Sequence, residues 1–497
     1  MSTRADADVA VVGSGPNGLA AAVTMARAGL SVRVYERAST IGGGARTAEV
    51  TLPGFRHDIC SAVHPLALSS GFFRSFRLEE RMRLAVPEIS FGHPLDGGRA
   101  GIAFRDLGRT ADALGADGRA YRRLMEPLVR RADEVAQFTG SSLVRLPAHP
   151  LTAALFGLRA LEQGSPLWNL RFGDEVAPAM LSGVAAHSIL PMPSLGTAGA
   201  ALSLGVQAHA RGWPVPIGGS QAIVDTMVAD LLEHGGEIVT DAEVRRLDDV
   251  RPAKAVLLDV APVNLARIAA QELPRRYLAA LRRFRYGNAV AKTDFALSGP
   301  VPWANEELRR APTVHVGGTR AEIAAAEREV AAGRHAASPY VLVSQPSIVD
   351  EERAPAGGHV LWAYTHVPSG STHDQTEAIT RQIERFAPGF RDLVLGSASR
   401  TATEYESYDP NYIGGDIAAG AATFGQLIAR PTLSLDPWST PARGVYLCSS
   451  STPPGPGVHG LSGWYAARRA LAAVFGIRTP PSLAPHPNRS ESPCRPM

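Results

Sequence analysis

The stretch VAVVGSGPNGLAAAVTMARAGLSVRVYE, residues 9–36, contains the pattern that decides the fold. The apolar, β-branched run from Asp8 to Val12 predicts a strand that is covered on both faces. The alanine-rich segment from Leu19 to Ala28 predicts a helix that Gly29 ends, and Ser31 to Tyr35 predicts a second strand. This order of strand, glycine-rich turn, helix and strand is typical of a parallel βαβ unit that binds a nucleotide.

Between the first strand and the helix, Gly13, Gly15 and Gly18 have the GxGxxG spacing. In that motif the first glycine permits a tight turn, the second lets backbone approach a pyrophosphate, and the third lets helix and strand pack closely. Glu36 follows the second strand, where a carboxylate can accept hydrogen bonds from ribose hydroxyls and would repel a 2′-phosphate. We therefore expect a dinucleotide other than NADP, although glycines at this spacing also serve ordinary turns.

Two later stretches favour FAD over NAD as that dinucleotide. The glycines of residues 42–44 form a second loop in which backbone must pass close to a ligand, where a simple NAD-binding unit would enter its next helix. Near the other end of the chain, residues 444–448 predict a strand and Gly457 begins a predicted helix. The start of that helix, near Val458 and His459, can present N–H groups to an electron-rich ring edge.

Four ordered motifs give the chain a resemblance to a known family. They are GSGPNG with Glu36, the IGGG loop, GWPVPIGGSQAIVDTMVADLLEHGGEIVTDAEVRRL, and YLCSSSTPPGPGVHGLSGWYAARRAL. Together they resemble the phytoene desaturase-like branch of the FAD-dependent amine oxidase and carotenoid isomerase superfamily. Within it, the chain is most similar to the pyridine nucleotide-disulphide oxidoreductase domain-containing protein 2 type. The resemblance covers residues 8 to about 475.

The resemblance implies how FAD is held. Its ADP end lies at the first glycines and Glu36, its flavin end lies near Gly457 to Gly460, and the backbone of Val244 meets the adenine. The predicted FAD-binding residues are Gly13, Gly15, Pro16, Asn17, Gly18, Glu36, Arg37, Gly43, Gly44, Ala45, Arg46, Val244, Ser450, Gly457, Val458, His459 and Gly460.

The chain departs from the family pattern at two places. Related carotenoid desaturases have an arginine directly after the glycine pair, whereas this chain has Gly44 there and Arg46 two residues later. Between Leu247 and Ala255 the chain also lacks the short hairpin that is usual in the FAD domain.

The predicted fold class is α/β, a doubly wound FAD-binding Rossmann-type domain with an inserted α+β substrate domain. Residues 1–70, 215–265 and 430–475 are assigned to the discontinuous FAD domain. Residues 75–212, helical in pattern, and 270–425, rich in strand signals, are assigned to a helical lid and a sheet floor. The Pro- and Ser-rich tail, residues 479–497, is predicted to be disordered.

Composition excludes several other classes of protein. The 50 basic and 47 acidic residues of the 497 are mixed along the chain, which gives a net charge of +3 and no nucleic-acid footprint. Three cysteines that are distant in sequence predict neither a disulfide framework nor a metal site, and no secretory leader or membrane span is recognisable. We expect a soluble, cytoplasmic protein whose possible peripheral membrane contact is GFFRSFRL, residues 71–78, although a core or lid helix is the simpler interpretation.

Candidate catalytic residues are few. His459 at the flavin-side helix, His57 after the glycine loop and His187 in the apolar lid could each act as a general base, and Tyr408 belongs to a polar cluster. A structural, hydrogen-bonded role is the alternative for each histidine. Lys292 could correspond to the lysine found near the flavin in amine oxidases, but no matching motif surrounds it.

The sequence therefore predicts an FAD-dependent oxidoreductase of the phytoene dehydrogenase type. It would remove a hydride from a C–C or C–N bond of an apolar or amphiphilic small molecule and pass electrons to oxygen or another acceptor. One alternative is a redox-neutral, flavin-dependent double-bond isomerase or cyclase, and a second is a non-catalytic flavoprotein that acts as an assembly partner. An NAD-dependent dehydrogenase would leave the residue 42–44 loop and the GPGVHG helix start without a use.

Overall fold

The computed structural model describes residues 7–485. Most strands belong to two sheets, one of five and one of seven strands, and two pairs of short strands lie outside them. In chain order the strands are β1 (Val9–Val12), β2 (Val32–Tyr35), β3 (Thr47–Glu49), β4 (Arg56–Asp58), β5 (Leu84–Ala85), β6 (Ile89–Pro94), β7 (Ala100–Phe104), β8 (Val215–Pro216), β9 (Glu237–Val239), β10 (Ala255–Leu258), β11 (Ala289–Leu297), β12 (Thr313–Val316), β13 (Val341–Ser344), β14 (His359–Val367), β15 (Val394–Arg400) and β16 (Val445–Leu447).

Helices cover the sheets and form the lid. In chain order they are α1 (Pro16–Arg27), α2 (Gly71–Phe76), α3 (Leu78–Arg81), α4 (Leu107–Ala113), α5 (Gly118–Val129), α6 (Ala132–Thr139), α7 (Pro150–Gln163), α8 (Val176–Ala185), α9 (Leu195–Ala210), α10 (Gln221–Glu233), α11 (Pro262–Ile268), α12 (Arg275–Arg282), α13 (Arg320–Ala331), α14 (Thr376–Phe386), α15 (Ala402–Tyr408), α16 (Phe424–Ile428) and α17 (Leu461–Val474).

The five-stranded sheet is parallel and has the order β16-β10-β1-β2-β9. All four residues of β1 are buried, as its β-branched sequence predicts, because helices cover both faces of the sheet. Its strands come from three separated stretches of chain, within residues 9–35, 237–258 and 445–447. The prediction of a doubly wound, Rossmann-type sheet is confirmed.

The seven-stranded sheet has the order β15-β11-β14-β13-β12-β6-β7 and is antiparallel except between β12 and β6. Residues 75–212 were expected to be helical, yet they supply β6 and β7 to the edge of this sheet. The expectation failed there because the pairing of β6 with β12 joins segments more than 200 residues apart in sequence, which local periodicity does not report. Helices α8 and α9 pack against these two strands and form the lid.

Several boundaries differ from the expected ones. The C-terminal helix α17 begins at Leu461 rather than at Gly457, because Gly455 and Gly457 have positive φ angles of 112° and 131°. Residues 479–485, expected to be disordered, are packed in part: Leu483 is buried, and its carbonyl and that of Ala484 accept hydrogen bonds from arginines. Residues 486–497 of that expected tail lie outside the described residues.

The apolar side chains of GFFRSFRL lie in the core, as the simpler interpretation of this segment predicted. Helix α2 buries Phe72, Phe73 and Phe76 in the core of the five-stranded sheet, so these rings cannot contact a membrane. Within residues 7–485, no helix combines the length and the apolar character that crossing a bilayer requires.

Helices α1 and α17 cross in backbone contact. A Cβ atom placed on Gly463 would lie 1.8 Å from the carbonyl oxygen of Asn17. We predict that Gly463→Ala lowers the free energy of unfolding by about 1–3 kcal/mol, because the two helices must separate to accept the methyl group. Urea unfolding followed by circular dichroism measures this change.

The matched control is Gly157→Ala, which adds the same methyl group in the interior of α7. No atom lies within 4 Å of that Cβ position, so the higher helix propensity of alanine should leave the stability equal or raised. Equal stability of the Gly463→Ala and wild-type proteins would contradict the proposed contact.

Candidate functional site

One large cavity, of about 1020 Å³, lies between the carboxyl ends of the parallel strands and the lid. Strands β1, β2 and β10 each end at its wall, where Gly13, Glu36 and Asp259 follow them in the chain. Helices α6, α7 and α9 line its other half. In open α/β sheets ligands bind at this edge, so the cavity is the candidate functional site.

The first glycines form a cradle that has no room for side chains. Gly13 has φ = 101°, and a Cβ on Gly18 would lie 2.1 Å from the Gly13 carbonyl oxygen. A Cβ on Gly43 would lie 3.0 Å from the Cα of Gly15, so the two glycine loops also touch one another. Gly13, Gly15 and Gly43 line the cavity, and backbone is therefore what a ligand meets at this end.

Glu36 lies at the rim of this cradle. Its carboxylate accepts hydrogen bonds from the Ser14 amide (3.0 Å), the Ser14 hydroxyl (2.6 Å) and the Ala38 amide (2.8 Å), and it lies 3.7 Å from the Arg46 guanidinium. These bonds fix its direction and still leave lone pairs toward the cavity, which Glu36 lines. A ribose hydroxyl could donate to them.

The structure explains why this chain has Gly44 and Arg46. A Cβ on Gly44 would lie 2.1 Å from the Tyr412 hydroxyl oxygen, so no side chain fits there. Arg46 instead lines the cavity, with its guanidinium 5.1 Å from the centre of the Tyr408 ring and donating to the Thr40 carbonyl at 2.6 Å. The site therefore holds a cation beside the cradle, where a pyrophosphate would need one.

Asp259 is the residue that the sequence reasoning missed. Its Oδ2 accepts a hydrogen bond from the Gly18 amide at 2.8 Å, at the N-terminus of α1, and it lines the cavity beside Gly15. Burial raises the pKa of this carboxyl to about 7, and the nearby Asp409 and Glu36 add to the rise. Its position directly after the apolar run AVLL, residues 255–258, was the signal available, because β10 is parallel to β1 and ends at the same edge.

The C-terminal motif reaches the same cavity, which Gly457 and Val458 line. Helix α17 begins directly behind them, at Leu461. Asn17 of α1 links the two ends, because its Nδ2 donates to the Ser450 hydroxyl at 3.3 Å while its Oδ1 is buried without a partner. An unpaired buried oxygen at a cavity wall is a group that a bound ligand can satisfy.

The structure brings most of the predicted FAD-binding residues together. The ones that do not face the cavity are Gly18, Ala45 and Gly460, which instead allow backbone to pack behind it. Those that line it are Gly13, Gly15, Pro16, Asn17, Glu36, Arg37, Gly43, Gly44, Arg46, Val244, Ser450, Gly457, Val458 and His459.

Two of the candidate bases, His459 and His57, are not free to take a proton from a molecule in the cavity. His459 lies at the cavity but uses both ring nitrogens: Nδ1 accepts from the Leu461 amide (3.0 Å) and Nε2 donates to the Gly455 carbonyl (3.1 Å). Burial lowers its pKa to about 4, so it caps the loop before α17 and is not a free base. His57 is buried away from the cavity, with Nε2 bonded to Thr51 at 2.8 Å.

Lys292 and Tyr408 also differ in their access to the cavity. Lys292 is buried behind the wall, donates to the Asp58 carbonyl at 2.8 Å and forms an ion pair with Asp294. Tyr408 does line the cavity, but its hydroxyl donates to the Gly43 carbonyl at 3.1 Å. It therefore braces the glycine loop at the dinucleotide end.

His187 is the histidine best exposed to the lid half of the cavity. It lies in the short turn after α8, and its Nε2 is 2.9 Å from the Nε2 of His315, a fully buried residue of β12. Its Nδ1 has no hydrogen-bond partner among residues 7–485. Burial lowers the pKa of His187 to about 3 and that of His315 well below its usual value, so both rings are neutral.

Charge is distributed unevenly over the cavity. Four carboxylates line the cavity, and all of them lie at the dinucleotide end, near the glycine cradle: Glu36, Glu243, Asp259 and Asp409. The lid half, lined by α6, α7, α9 and the His187 turn, has no acidic side chain. This half can hold an apolar molecule and offers no anionic partner to an ammonium group.

Comparison with known sequences supports the predicted resemblance. Residues 11–74 match the family model described as an NAD(P)-binding Rossmann-like domain. The chain is 25% identical to the rat pyridine nucleotide-disulfide oxidoreductase domain-containing protein 2, covering 93% of this chain and 92% of that protein. It is also 27% identical to an uncharacterized protein of Mycobacterium tuberculosis, covering 96% and 99% of the two chains.

Solved structures of similar fold include flavoenzyme relatives. Putrescine oxidase with bound putrescine is 19% identical with a TM-score of 0.59, and the match covers 95% of this chain and 99% of that chain. Cyclohexylamine oxidase from Brevibacterium oxydans is 15% identical with a TM-score of 0.57, with the same coverage. The matches to solved structures confirm the predicted fold, and the sequence match to the rat protein confirms the resemblance.

The position of Asp259 predicts that dinucleotide binding depends on pH. Above pH 7 this carboxyl ionises and places a negative charge beside the pyrophosphate, with Glu36 and Asp409 already near and Arg46 the nearby cation. We expect the Kd for FAD to rise with pH above about 7, by at most about tenfold per pH unit because one proton is involved. FAD fluorescence titrations of the apoprotein between pH 6 and 9 measure this slope.

The control is Asp259→Asn, which keeps an oxygen for the Gly18 amide and cannot ionise. Its Kd should be independent of pH over the same range. A wild-type Kd that does not change with pH, or an Asn variant that keeps the slope, would contradict the assignment.

Proposed function

We propose that this protein is an FAD-dependent oxidoreductase that desaturates an uncharged, apolar substrate. The observation that carries the proposal is that one large cavity is lined both by the glycine cradle and by the Gly457 loop that precedes α17. A dinucleotide that ended at the cradle would leave the Gly457 loop and the apolar lid half without a ligand. FAD could serve both features, because it joins an ADP group, which suits the cradle, to a flavin ring, which the Gly457 loop and the lid half could contact.

The residues present fit FAD. The cradle of Gly13, Gly15 and Gly43 offers backbone to the pyrophosphate, with Arg46 as a cation beside it. Glu36 accepts from the ribose hydroxyls, and the backbone near Val458, before α17, offers N–H groups to the flavin. When bound, FAD supplies a two-electron acceptor that takes a hydride from a substrate carbon.

The lid half supports an uncharged substrate. Phe138, Phe156 and Leu204 are among its lining side chains, and no carboxylate faces them. A protonated amine in this half would lose its hydration without gaining an anionic partner, which costs several kcal/mol in proteins. The geometry therefore favours oxidation of a C–C bond over oxidation of an amine, although the relatives of known fold include amine oxidases.

His187 is placed to accept the proton that desaturation releases. As the hydride leaves one carbon, a proton leaves its neighbour, and the electron pair of that second C–H bond becomes the new double bond. Nδ1 of His187 accepts this proton if its Nε2 carries the hydrogen shared with His315. His315 then orients the ring and shares its charge, so it is a positioning residue.

The lowered pKa of His187 does not prevent this role. A C–H bond next to a developing cation is very acidic, so a weak base is sufficient to take its proton.

We further propose that electrons pass to oxygen or another acceptor, that the chain works in the cytoplasm, and that residues 7–70, 215–265 and 430–475 act as the FAD domain. A redox-neutral isomerase would use the same cavity, but it would turn over only with reduced flavin and without an acceptor.

The first test is the visible absorption spectrum of the purified protein. We expect the two-band spectrum of oxidised flavin and the release of one FAD per chain on denaturation. Gly43→Val should lose most of this FAD, because its side chain would fill the approach between the two glycine loops. A colourless wild-type protein that takes up no added FAD would overturn the proposed function.

The second test concerns the substrate and His187. Under anaerobic conditions, a substrate of the proposed class should bleach the flavin, whereas alkylamines of equal length should not. His187→Phe should keep its FAD content and substrate Kd but bleach about 10²–10⁴ times more slowly, the usual contribution of a positioned base. Faster bleaching by amines, or an unchanged rate in the Phe variant, would contradict this assignment.

A further inference from the structure

The lid has an outer face that is unusually apolar. Helix α7 buries Thr152, Phe156 and Ala160 on its inner side, where it packs against α9. Its outer side is also apolar and is exposed. This outer surface, which we call the leucine face, consists of Leu146, Leu151, Leu158, Leu161, Leu167 and Leu170.

The exposure of the leucine face is large. Leu146 is 96% exposed and Leu151 is 87% exposed, and six of the twelve large hydrophobic side chains found exposed among the described residues lie between positions 146 and 170. Single exposed leucines are ordinary on protein surfaces, but a contiguous set marks a binding surface.

The leucine face reaches the opening of the cavity at Leu161. Leu161 lines the cavity and is also 58% exposed, and Phe424 of α16 combines the same two properties. An apolar molecule that leaves a hydrophobic phase at this face therefore enters the lid half without crossing water. A second copy of the chain seated on the same face would instead cover this opening.

A cationic corner adjoins the leucine face. Arg145 precedes Leu146 in the chain and donates to the carbonyl of Leu435, another exposed leucine. Burial lowers the pKa of Arg145, and the nearby Arg469 and Arg468 lower it further, while Asp436, which pairs with Arg469 at 3.2 Å, opposes the shift. In the part of the chain that the structure describes, Arg145 and Arg468 have no carboxylate at ion-pair distance, so their charge is available to anionic headgroups.

We propose that the leucine face docks on an anionic lipid surface and takes up the apolar substrate from it. The substrate part of this statement rests on the proposed function, whereas the docking itself does not. Leucines on one helix face, with arginines at the border, form the pattern of a monotopic contact that lies in the headgroup region. The phenylalanines of residues 71–78, a segment that the sequence allowed as a membrane contact but more simply as a core or lid helix, are buried and have no part in it.

The test is co-sedimentation of the full-length protein with lipid vesicles. Vesicles of phosphatidylcholine with 30% phosphatidylglycerol, by design about one anionic lipid in three, should bind the wild type at least tenfold better than pure phosphatidylcholine. The double variant Leu151→Ser with Leu158→Ser should lose at least tenfold in partitioning. These two side chains do not line the cavity, so the FAD content should not change.

The matched control is Leu232→Ser with Leu395→Ser. These leucines are 53% and 54% exposed on other elements, α10 and β15, so the same apolar loss there should leave partitioning unchanged. Arg145→Gln with Arg468→Gln should remove most of the preference for phosphatidylglycerol and leave a weaker, salt-independent binding.

Three results would overturn the proposal. They are a wild type that stays in the supernatant with both kinds of vesicle, an equal loss in the control pair, and a wild-type dimer in light scattering that the Leu151 and Leu158 changes convert to a monomer. The assay needs no turnover. Vesicle binding by a protein without FAD would therefore refute the proposed function alone, and an FAD protein that ignores vesicles would refute the docking alone.

Discussion

The close backbone approach in the first turn of helix α1 is the constraint on which the site depends. At its start, Gly18 passes so close to Gly13 that only hydrogen atoms fit between the turn and the helix. On its side, α1 touches α17 at Gly463. Because both helices begin at the wall of the cavity, this contact holds their N-termini next to one another. A long cofactor with an anionic middle and an electron-rich ring can use both.

Electrostatics divides the cavity into two halves with different tasks. Glu36, Asp259 and Asp409 gather at the ends of parallel strands, where helix N-termini and the Arg46 guanidinium offset their charge. The lid half has the neutral ring of His187 and, along α6, α7 and α9, no charged side chain. A charged group is therefore stable at one end and costly at the other, so the two ends of the cavity suit groups of different charge.

The departures from the family pattern make sense only with the tertiary contacts in view. Gly44 is required by the Tyr412 hydroxyl, which comes from a segment more than 360 residues later in the chain. Arg46 then occupies the neighbouring wall. The motif of the relatives has thus been rearranged locally, while a cation is still present beside the glycine cradle.

The sequence alone determined the Rossmann-type unit, because its glycines, its β-branched strand and its terminal acid are local necessities of a tight turn and a covered strand. It also located most of the cofactor end, since that end is built from short continuous motifs. The tertiary structure decided which of His57, His187 and His459 has a free nitrogen at the cavity, and it revealed Asp259. It likewise decided that β6 and β7 join the larger sheet, that α2 is buried and that α7 is exposed. These outcomes depend on contacts between residues far apart in the chain, and neither periodicity nor spacing records which apolar face meets a partner.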